Sequence, residues 1–243
     1  EPHNSIGVAL QELGRLDEAE TSLMQAIALK PDFVEAHYNL GITLKKLGRF
    51  DEAEACYTQA IALRPDYAEA HNNLGILLQE LGRLDEAEAV FRQAVALKAD
   101  YAEAHSNLGN TLKELSKLED AEASYKQAIV LKSDYAEAHS NLGITLQELG
   151  RLEDAEASYK QAIVLKPDYA AAHSNLGVTL NELSRFEDSV SSFQQAFANR
   201  TGILPVGEDV LAPATTAVFF ELTNKCNFHC DFCPSDSQKR DIG

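Results

Sequence analysis

The sequence repeats itself every 34 residues, and this period limits the possible folds more than any other feature. A histidine recurs at the same place in six successive units, and a glycine follows it four residues later. The histidines are His3, His37, His71, His105, His139 and His173, and the glycines are Gly7, Gly41, Gly75, Gly109, Gly143 and Gly177. A fixed period of this length is typical of architectures in which small units stack on one another. The sequence therefore predicts a solenoid.

Each unit contains two stretches of apolar and small residues at helical spacing. In the second unit, the first stretch comprises His37, Leu40, Gly41, Leu44 and Leu47. After Gly48, the second stretch comprises Phe50, Ala53, Tyr57, Ala60, Ile61 and Leu63. This spacing predicts two antiparallel helices per unit, and the small Gly and Ala positions allow the helices to approach closely. Because one helix pair cannot bury its own apolar stripe, neighbouring units must stack.

Paired acidic residues stand before three of the first helices. They are Asp66 with Glu69, Asp100 with Glu103, and Asp134 with Glu137. This is the spacing of a capping box, in which two side chains satisfy backbone N–H groups at the start of a helix. We therefore expect these acids to begin the first helices.

The order of small and large positions in residues 1–201 resembles the tetratricopeptide repeat, although His stands where that family most often has Trp. The resemblance implies an all-α fold, a right-handed solenoid of six helix-turn-helix repeats whose first helices line a concave groove. The groove would bind a peptide or a partner protein. The repeats would occupy residues 1–33, 34–67, 68–101, 102–135, 136–169 and 170–201.

An asparagine recurs two residues after the histidine in five of the units. These residues are Asn39, Asn73, Asn107, Asn141 and Asn175. The phrase Ala-His-Ser-Asn-Leu-Gly is similar to the superhelix of the O-linked N-acetylglucosamine transferase, where the equivalent asparagines form a ladder along the groove. An amide side chain both donates and accepts hydrogen bonds, so one interpretation is that the five residues bind an extended peptide backbone. The alternative is that they pack adjacent first helices together.

Acidic residues exceed basic residues by 38 to 21, which gives a net charge of −17. The repeats contain 32 of the acids and 18 of the bases, and so carry −14 of that charge. Such a surface repels phosphate backbones and anionic lipids, so no binding to nucleic acid or membrane is expected. A glutamate row should project near the groove, interrupted by Lys46: Glu12, Glu80, Glu114, Glu148 and Glu182. One hypothesis is that the groove binds basic segments, and the alternative is a solvated acidic face.

The sixth unit departs from the pattern at its end. Phe193 and Phe197 are bulky, and no polar capping helix follows them. An end of this kind predicts an apolar surface that docks on a following domain. Residues 202–215 contain Pro205, Gly207 and Pro213, and are predicted to be a linker.

Residues 216–243 begin with a short apolar run, at residues 217–222, that predicts one strand. Three cysteines follow at C-x3-C-x2-C spacing: Cys226, Cys230 and Cys233. Three thiolates in one loop can hold an iron–sulfur cluster and leave one iron without a protein ligand. A zinc site would need a fourth ligand, for which His229 is the one local candidate. A thioredoxin-like site would leave Cys226 unexplained.

Residues 220–234 closely resemble the opening of the radical S-adenosylmethionine enzymes, where the first strand of an α/β barrel runs into a C-x3-C-x-aromatic-C loop. The resemblance implies that Cys226, Cys230 and Cys233 bind three irons of a [4Fe–4S] cluster. The fourth iron would bind S-adenosyl-L-methionine, with Phe232 near the adenine. Reductive cleavage of this cofactor would give a 5′-deoxyadenosyl radical and would require a reductant.

Two functions follow from these patterns. The first is a fragment of a radical S-adenosylmethionine enzyme whose repeats recruit a peptide or protein. Residues 216–243 hold only the start of a barrel, so this chain alone would be inactive. The second is a non-catalytic scaffold for protein–protein interaction with a vestigial cysteine loop. Because no signal-peptide pattern and no long apolar stretch is present, the sequence predicts a cytoplasmic protein.

Overall fold

The computed structural model describes residues 1–202, and these form twelve α-helices with no strand among them. The first helices of the six units are α1 (Pro2–Glu12), α3 (Val34–Lys46), α5 (Ala68–Glu80), α7 (Ala102–Glu114), α9 (Ala136–Glu148) and α11 (Ala170–Glu182). The second helices are α2 (Leu16–Leu29), α4 (Phe50–Leu63), α6 (Leu84–Leu97), α8 (Leu118–Leu131), α10 (Leu152–Leu165) and α12 (Phe186–Thr201). The strand predicted at residues 217–222 and the cysteine loop lie outside the described residues.

The units stack so that first helices lie closer to one another than second helices do. Each first helix packs against its own second helix, and each second helix packs against the first helix of the next unit. Successive first helices also contact each other, from α1 with α3 to α9 with α11, whereas within residues 1–202 successive second helices do not. The stack therefore curves with the first helices on its inner face and the second helices on its outer face.

The two helices of each unit meet at the recurring glycine. A Cβ atom placed on Gly109 would lie 2.8 Å from a ring carbon of Tyr125, and one on Gly143 would lie 2.7 Å from a ring carbon of Tyr159. Both tyrosines are fully buried. The same contact joins Gly7 with Leu23, Gly41 with Tyr57, Gly75 with Phe91, and Gly177 with Phe193. Because no larger residue fits at these positions, the prediction of close helix approach is confirmed.

The two phenylalanines at the end of the array have different environments. Phe193 occupies the same position as Tyr159 in the preceding unit, and its ring packs against Gly177. Phe197 is 51% exposed. Phe193 is partly buried, so the predicted apolar surface at the end of the array comprises Phe197 and the uncovered part of the Phe193 ring. The 34-residue register gives the physical reason for this partial burial, since it places the ring over the unit's own glycine.

The turn between the two helices of a unit requires a left-handed residue. Glycine fills this position in four units, with φ of +73° at Gly14 and +75° at Gly48. In the fourth and sixth units, Ser116 and Ser184 adopt φ of 58° and 60°. A left-handed conformation costs a non-glycine residue about 1 kcal/mol, so these two turns hold backbone strain that the other four avoid.

Ion pairs connect each unit with the unit before it. The basic residue that precedes each second helix pairs with a glutamate on the preceding second helix. These pairs are Arg49–Glu20, Arg83–Glu54, Lys117–Glu88, Arg151–Glu122 and Arg185–Glu156. Hydrogen bonds from Lys126 and Arg151 lower the pKa of Glu122, because they stabilise its carboxylate form. Most basic residues of the repeats thus form ion pairs within a unit or between neighbouring units.

The predicted capping boxes are absent. Helix α5 begins at Ala68, so Tyr67 occupies the N-cap and Asp66 lies one residue outside the helix, and no side chain caps this end. The same arrangement holds for α7 and α9. The glutamates of the predicted boxes instead pair with lysines at the ends of the second helices, as Glu69–Lys98, Glu103–Lys132 and Glu137–Lys166. The spacing of the acidic residues therefore predicted a start for each of these helices that is one residue too early.

None of the helices described here is long and apolar enough to cross a bilayer.

The substitution Gly109→Ala tests the close helix contact. We expect it to lower the free energy of unfolding by about 2 kcal/mol, because overpacking against Tyr125 outweighs the gain in helix propensity. Urea unfolding of the full chain followed by circular dichroism measures the change. In a Tyr125→Ala background the same substitution should cost nothing, since the ring is gone. An equal loss in both backgrounds would show that the contact does not limit residue size.

Candidate functional site

The five predicted asparagines lie in one row along the inner face. Each occupies the same place on a first helix, from Asn39 on α3 to Asn175 on α11, and each is partly exposed. Because the units stack in register, a 34-residue period in sequence becomes a continuous row in space. The structure therefore brings all five predicted residues together on one surface.

Four of the asparagines bind the preceding first helix. The Nδ2 group of Asn39 donates to Asn4 Oδ1 at 3.0 Å, and that of Asn73 donates to the Tyr38 hydroxyl at 2.9 Å. The equivalent bonds are Asn107 to Asn72 Oδ1 and Asn141 to Asn110 Oδ1, both at 3.0 Å. The side chain of Asn175 makes no hydrogen bond within residues 1–202. Packing of adjacent first helices is thus one role of the row, as the alternative interpretation predicted.

Threonines behind the row bind the same turns of helix. Thr111 and Thr145 are fully buried, and their hydroxyls donate to the backbone oxygens of Asn107 and Asn141 at 3.1 and 3.0 Å. Thr43 and Thr179 make the same bond to Asn39 and Asn175. These bonds satisfy backbone oxygens on the buried side of each helix. The partly exposed asparagine side chains are the polar groups on its other side.

A second row lies one helical turn from the asparagines, three residues after each of them. It consists of Ile42, Ile76, Asn110, Ile144 and Val178. Residues three apart share one helix face, so this row runs beside the asparagines. The isoleucines are partly buried and pack against the core, whereas Val178 is 40% exposed. The row is therefore apolar except at Asn110, a feature that sequence analysis missed.

The third row contains the predicted glutamates, seven residues after the asparagines. Glu80 accepts from Lys45 at 2.7 Å and forms an ion pair with it. Glu114 and Glu182 accept only from neutral amides, those of Gln79 at 2.6 Å and Gln147 at 2.9 Å. Glu148 has no partner within the described residues. Four carboxylates of the inner face, at Glu12, Glu114, Glu148 and Glu182, thus have no paired cation in residues 1–202, and the last three lie at successive units.

An aromatic cluster marks the inner face at the second unit. The ring centroid of Tyr38 lies 4.9 Å from that of Tyr67 and 6.2 Å from that of Tyr57. Burial raises the pKa of Tyr38 to about 12, so its hydroxyl is protonated at neutral pH and accepts from Asn73. The other units have Asn or Ser at this position, as at Asn72 and Ser106. The inner face is therefore more apolar at the second unit than at later ones.

The recurring histidines tie each first helix to the loop before it. They are partly buried. The Nε2 atom of His37 lies 2.8 Å from the backbone oxygen of Pro31, and that of His71 lies 3.0 Å from Pro65. His105 and His173 make the equivalent contacts. Burial lowers the pKa of His139. These contacts give the histidines a structural role.

No group of three or more metal-ligating side chains lies within residues 1–202. The predicted metal ligands Cys226, Cys230 and Cys233, and the predicted cofactor contact Phe232, lie outside the described residues. Cys56 is partly buried, and burial raises the pKa of its thiol to about 11.

Two family models match the chain within the repeats. The model described as tetratricopeptide repeat matches residues 32–100, and the model described as TPR repeat matches residues 7–48, 109–150 and 145–184. Together they cover more than half of the sequence, and both end before the cysteine motif. No curated protein matches the chain.

Several solved structures share this architecture. MamA is 24% identical, with a TM-score of 0.64, and the match covers 67% of this chain and 95% of MamA. YrrB, described as a TPR protein with an unusual peptide-binding site, is 21% identical, with a TM-score of 0.64, covering 80% of this chain and 97% of YrrB. PilF of Pseudomonas aeruginosa is 18% identical, with a TM-score of 0.74, covering 90% and 96%. At these identities the likeness shows the fold.

The asparagine row allows its two roles to be separated within one chain. Asn107→Ala should lower the free energy of unfolding by about 1 kcal/mol, because it removes the hydrogen bond to Asn72. Asn175→Ala should change it by less than about 0.5 kcal/mol, since that amide makes no bond within the array. Urea unfolding of both variants measures the difference. Equal effects at the two positions would contradict the structural role of the four inter-unit bonds.

Proposed function

This chain belongs to the tetratricopeptide repeat family, and from that premise we propose that its inner face binds an extended, positively charged segment of a partner protein. The observation that carries the proposal is the alignment of three rows on one surface: partly exposed amides, apolar side chains and carboxylates without paired cations.

The amides supply contacts that do not depend on the partner's sequence. In Asn39, Asn107 and Asn141 one N–H is used between units, which leaves Oδ1 and the second N–H without a partner in residues 1–202. These groups can accept from and donate to the peptide groups of an extended chain. The Asn175 amide makes no hydrogen bond within residues 1–202. At this position, binding of a peptide backbone therefore does not compete with a bond between units.

The carboxylates supply the preference for positive charge. Glu114, Glu148 and Glu182 lie at successive units and are exposed. Near a protein surface, opposite charges a few ångströms apart attract by about 1 kcal/mol or more at low salt, and this attraction decreases as salt rises. Lysine and arginine side chains of a bound segment can pair with these groups, which favours a basic partner over an acidic one.

Binding of the full chain to labelled lysine-rich and glutamate-rich peptides, followed by fluorescence anisotropy, tests this function. We expect the basic peptide to bind and to weaken as salt is raised. Changing Glu114, Glu148 and Glu182 together to Gln should weaken binding about tenfold, because three attractive charges are lost.

The matched control is the same charge change on the outer face. Glu119, Glu153 and Glu187 are exposed, recur at the same period and lie on second helices. Their change to Gln should leave binding of the basic peptide nearly unaltered. Equal weak binding of both peptides, or equal losses in the two triple variants, would contradict a charge-selective inner face.

We also propose a second function, iron–sulfur cluster binding, for the cysteine motif. The donor set favours it: three thiolates at Cys226, Cys230 and Cys233 suit a [4Fe–4S] cluster and leave one iron free for S-adenosyl-L-methionine, with Phe232 beside the adenine. When bound, the cluster supplies one electron to that cofactor. The repeats would then recruit the partner on which such an enzyme acts. The non-catalytic scaffold has the stronger support, from the family models and the fold.

Anaerobic reconstitution of the full chain with iron and sulfide tests the second function. We expect a brown protein with broad visible absorption and about four irons per chain. Replacing Cys226, Cys230 and Cys233 with Ala should abolish both signals, because the thiolates that hold the irons are gone. The control Cys56→Ala should retain both. Iron retained by the triple variant, or a colourless wild-type protein, would contradict cluster binding.

A further inference from the structure

The apolar row of the inner face is interrupted at one unit, by Asn110. Five of the six units have Ile or Val at this place, with Val8 in the first unit, and the fourth unit alone has an amide. The side chain is partly exposed. An amide among isoleucines changes what can bind there, because an apolar side chain seated on it would desolvate its N–H groups without a partner.

The oxygen of this amide is fully used by the protein. Asn110 Oδ1 accepts from the Tyr125 hydroxyl at 2.7 Å and from Asn141 Nδ2 at 3.0 Å. Two donors on one oxygen fix the orientation of the amide group. The Nδ2 group makes no hydrogen bond within the described residues. Asn110 therefore offers a bound segment an N–H donor whose orientation is fixed.

The buried tyrosine beneath Asn110 does not by itself require an asparagine at this position. The bond that Asn110 accepts from Tyr125 satisfies a buried hydroxyl. The second and fifth units also have a tyrosine at this place on the second helix, Tyr57 and Tyr159, but they have an isoleucine at the position of Asn110. Tyr159 instead donates to Gln147 Oε1 at 3.3 Å. The buried tyrosine alone therefore does not explain Asn110.

We infer that Asn110 determines the specificity of the inner face, selecting a segment with a hydrogen-bond acceptor at its centre and apolar side chains on both sides. This inference rests on the proposed function. Adjacent packed helices lie about 8–10 Å apart, and a chain in the polyproline II conformation advances about 3.1 Å per residue with three residues per turn, so one unit spans about three residues and residues three apart share a face. The acceptor would face Asn110, and the flanking apolar residues, about three positions away, would face Ile76 and Ile144.

Two labelled peptides that differ in one residue test this inference on the full chain. Their sequence is Lys-Leu-Lys-Ser-Xaa-Ser-Lys-Leu-Lys, with Asn or Leu at the centre, and anisotropy measures Kd. We expect the wild-type protein to bind the Asn peptide about tenfold more tightly, the effect of one added hydrogen bond and one avoided desolvation.

The double variant Asn110→Ile/Tyr125→Phe reproduces the Ile76 and Phe91 pair of the third unit, so it leaves no buried hydroxyl without a partner. It should reverse the preference and bind the Leu peptide more tightly. Tyr125→Phe alone should keep the wild-type preference. Circular dichroism and urea unfolding verify that both variants are folded.

An absent preference in the wild type, or the same preference in the double variant, would overturn the role of Asn110 while leaving peptide binding intact. Binding of neither peptide to the wild type would contradict the proposed function itself, and the inference with it. The two failures are thus distinguishable in one experiment.

Discussion

The contact between a glycine on each first helix and a ring or leucine on its second helix sets the geometry of every unit. A Cβ on Gly75 would lie 2.7 Å from a ring carbon of Phe91, and the other five units show the same close approach. Because the two helices pack at this fixed distance in all six units, each unit presents the same apolar surface to the next. The stack, its curve and the position of the inner face follow from this repeated contact.

Regular stacking converts a period in sequence into rows in space, and the rows are the candidate site. Contacts that hold the units together and groups that could bind a partner lie on the same helices. In the asparagine row the structural role and the proposed binding role share one side chain, since Asn107 binds Asn72 through one N–H and its oxygen has no partner in residues 1–202. The row is therefore held rigidly in place by the contacts that build the array, which reduces the entropy lost when a partner binds.

Sequence reasoning succeeded where a residue type has one physical explanation. A glycine repeated at helical spacing predicts close packing, and Gly41 against Tyr57 confirms it. Reasoning failed where the outcome depends on which partner a side chain meets. Glu69 fits a capping box by spacing, but α5 starts one residue later than expected and Glu69 pairs with Lys98. Asn110 escaped notice because its meaning depends on the neighbouring isoleucines, and those share its row only after the units stack.

Photo-cross-linking tests whether a partner segment lies along the first helices. A basic peptide with a benzophenone group would be irradiated on the full chain, and the attachment sites would be located by mass spectrometry. We expect attachment to α7, α9 and α11, which carry Glu114, Glu148 and Glu182. Attachment mainly to α8, α10 and α12, on the outer face, would contradict it.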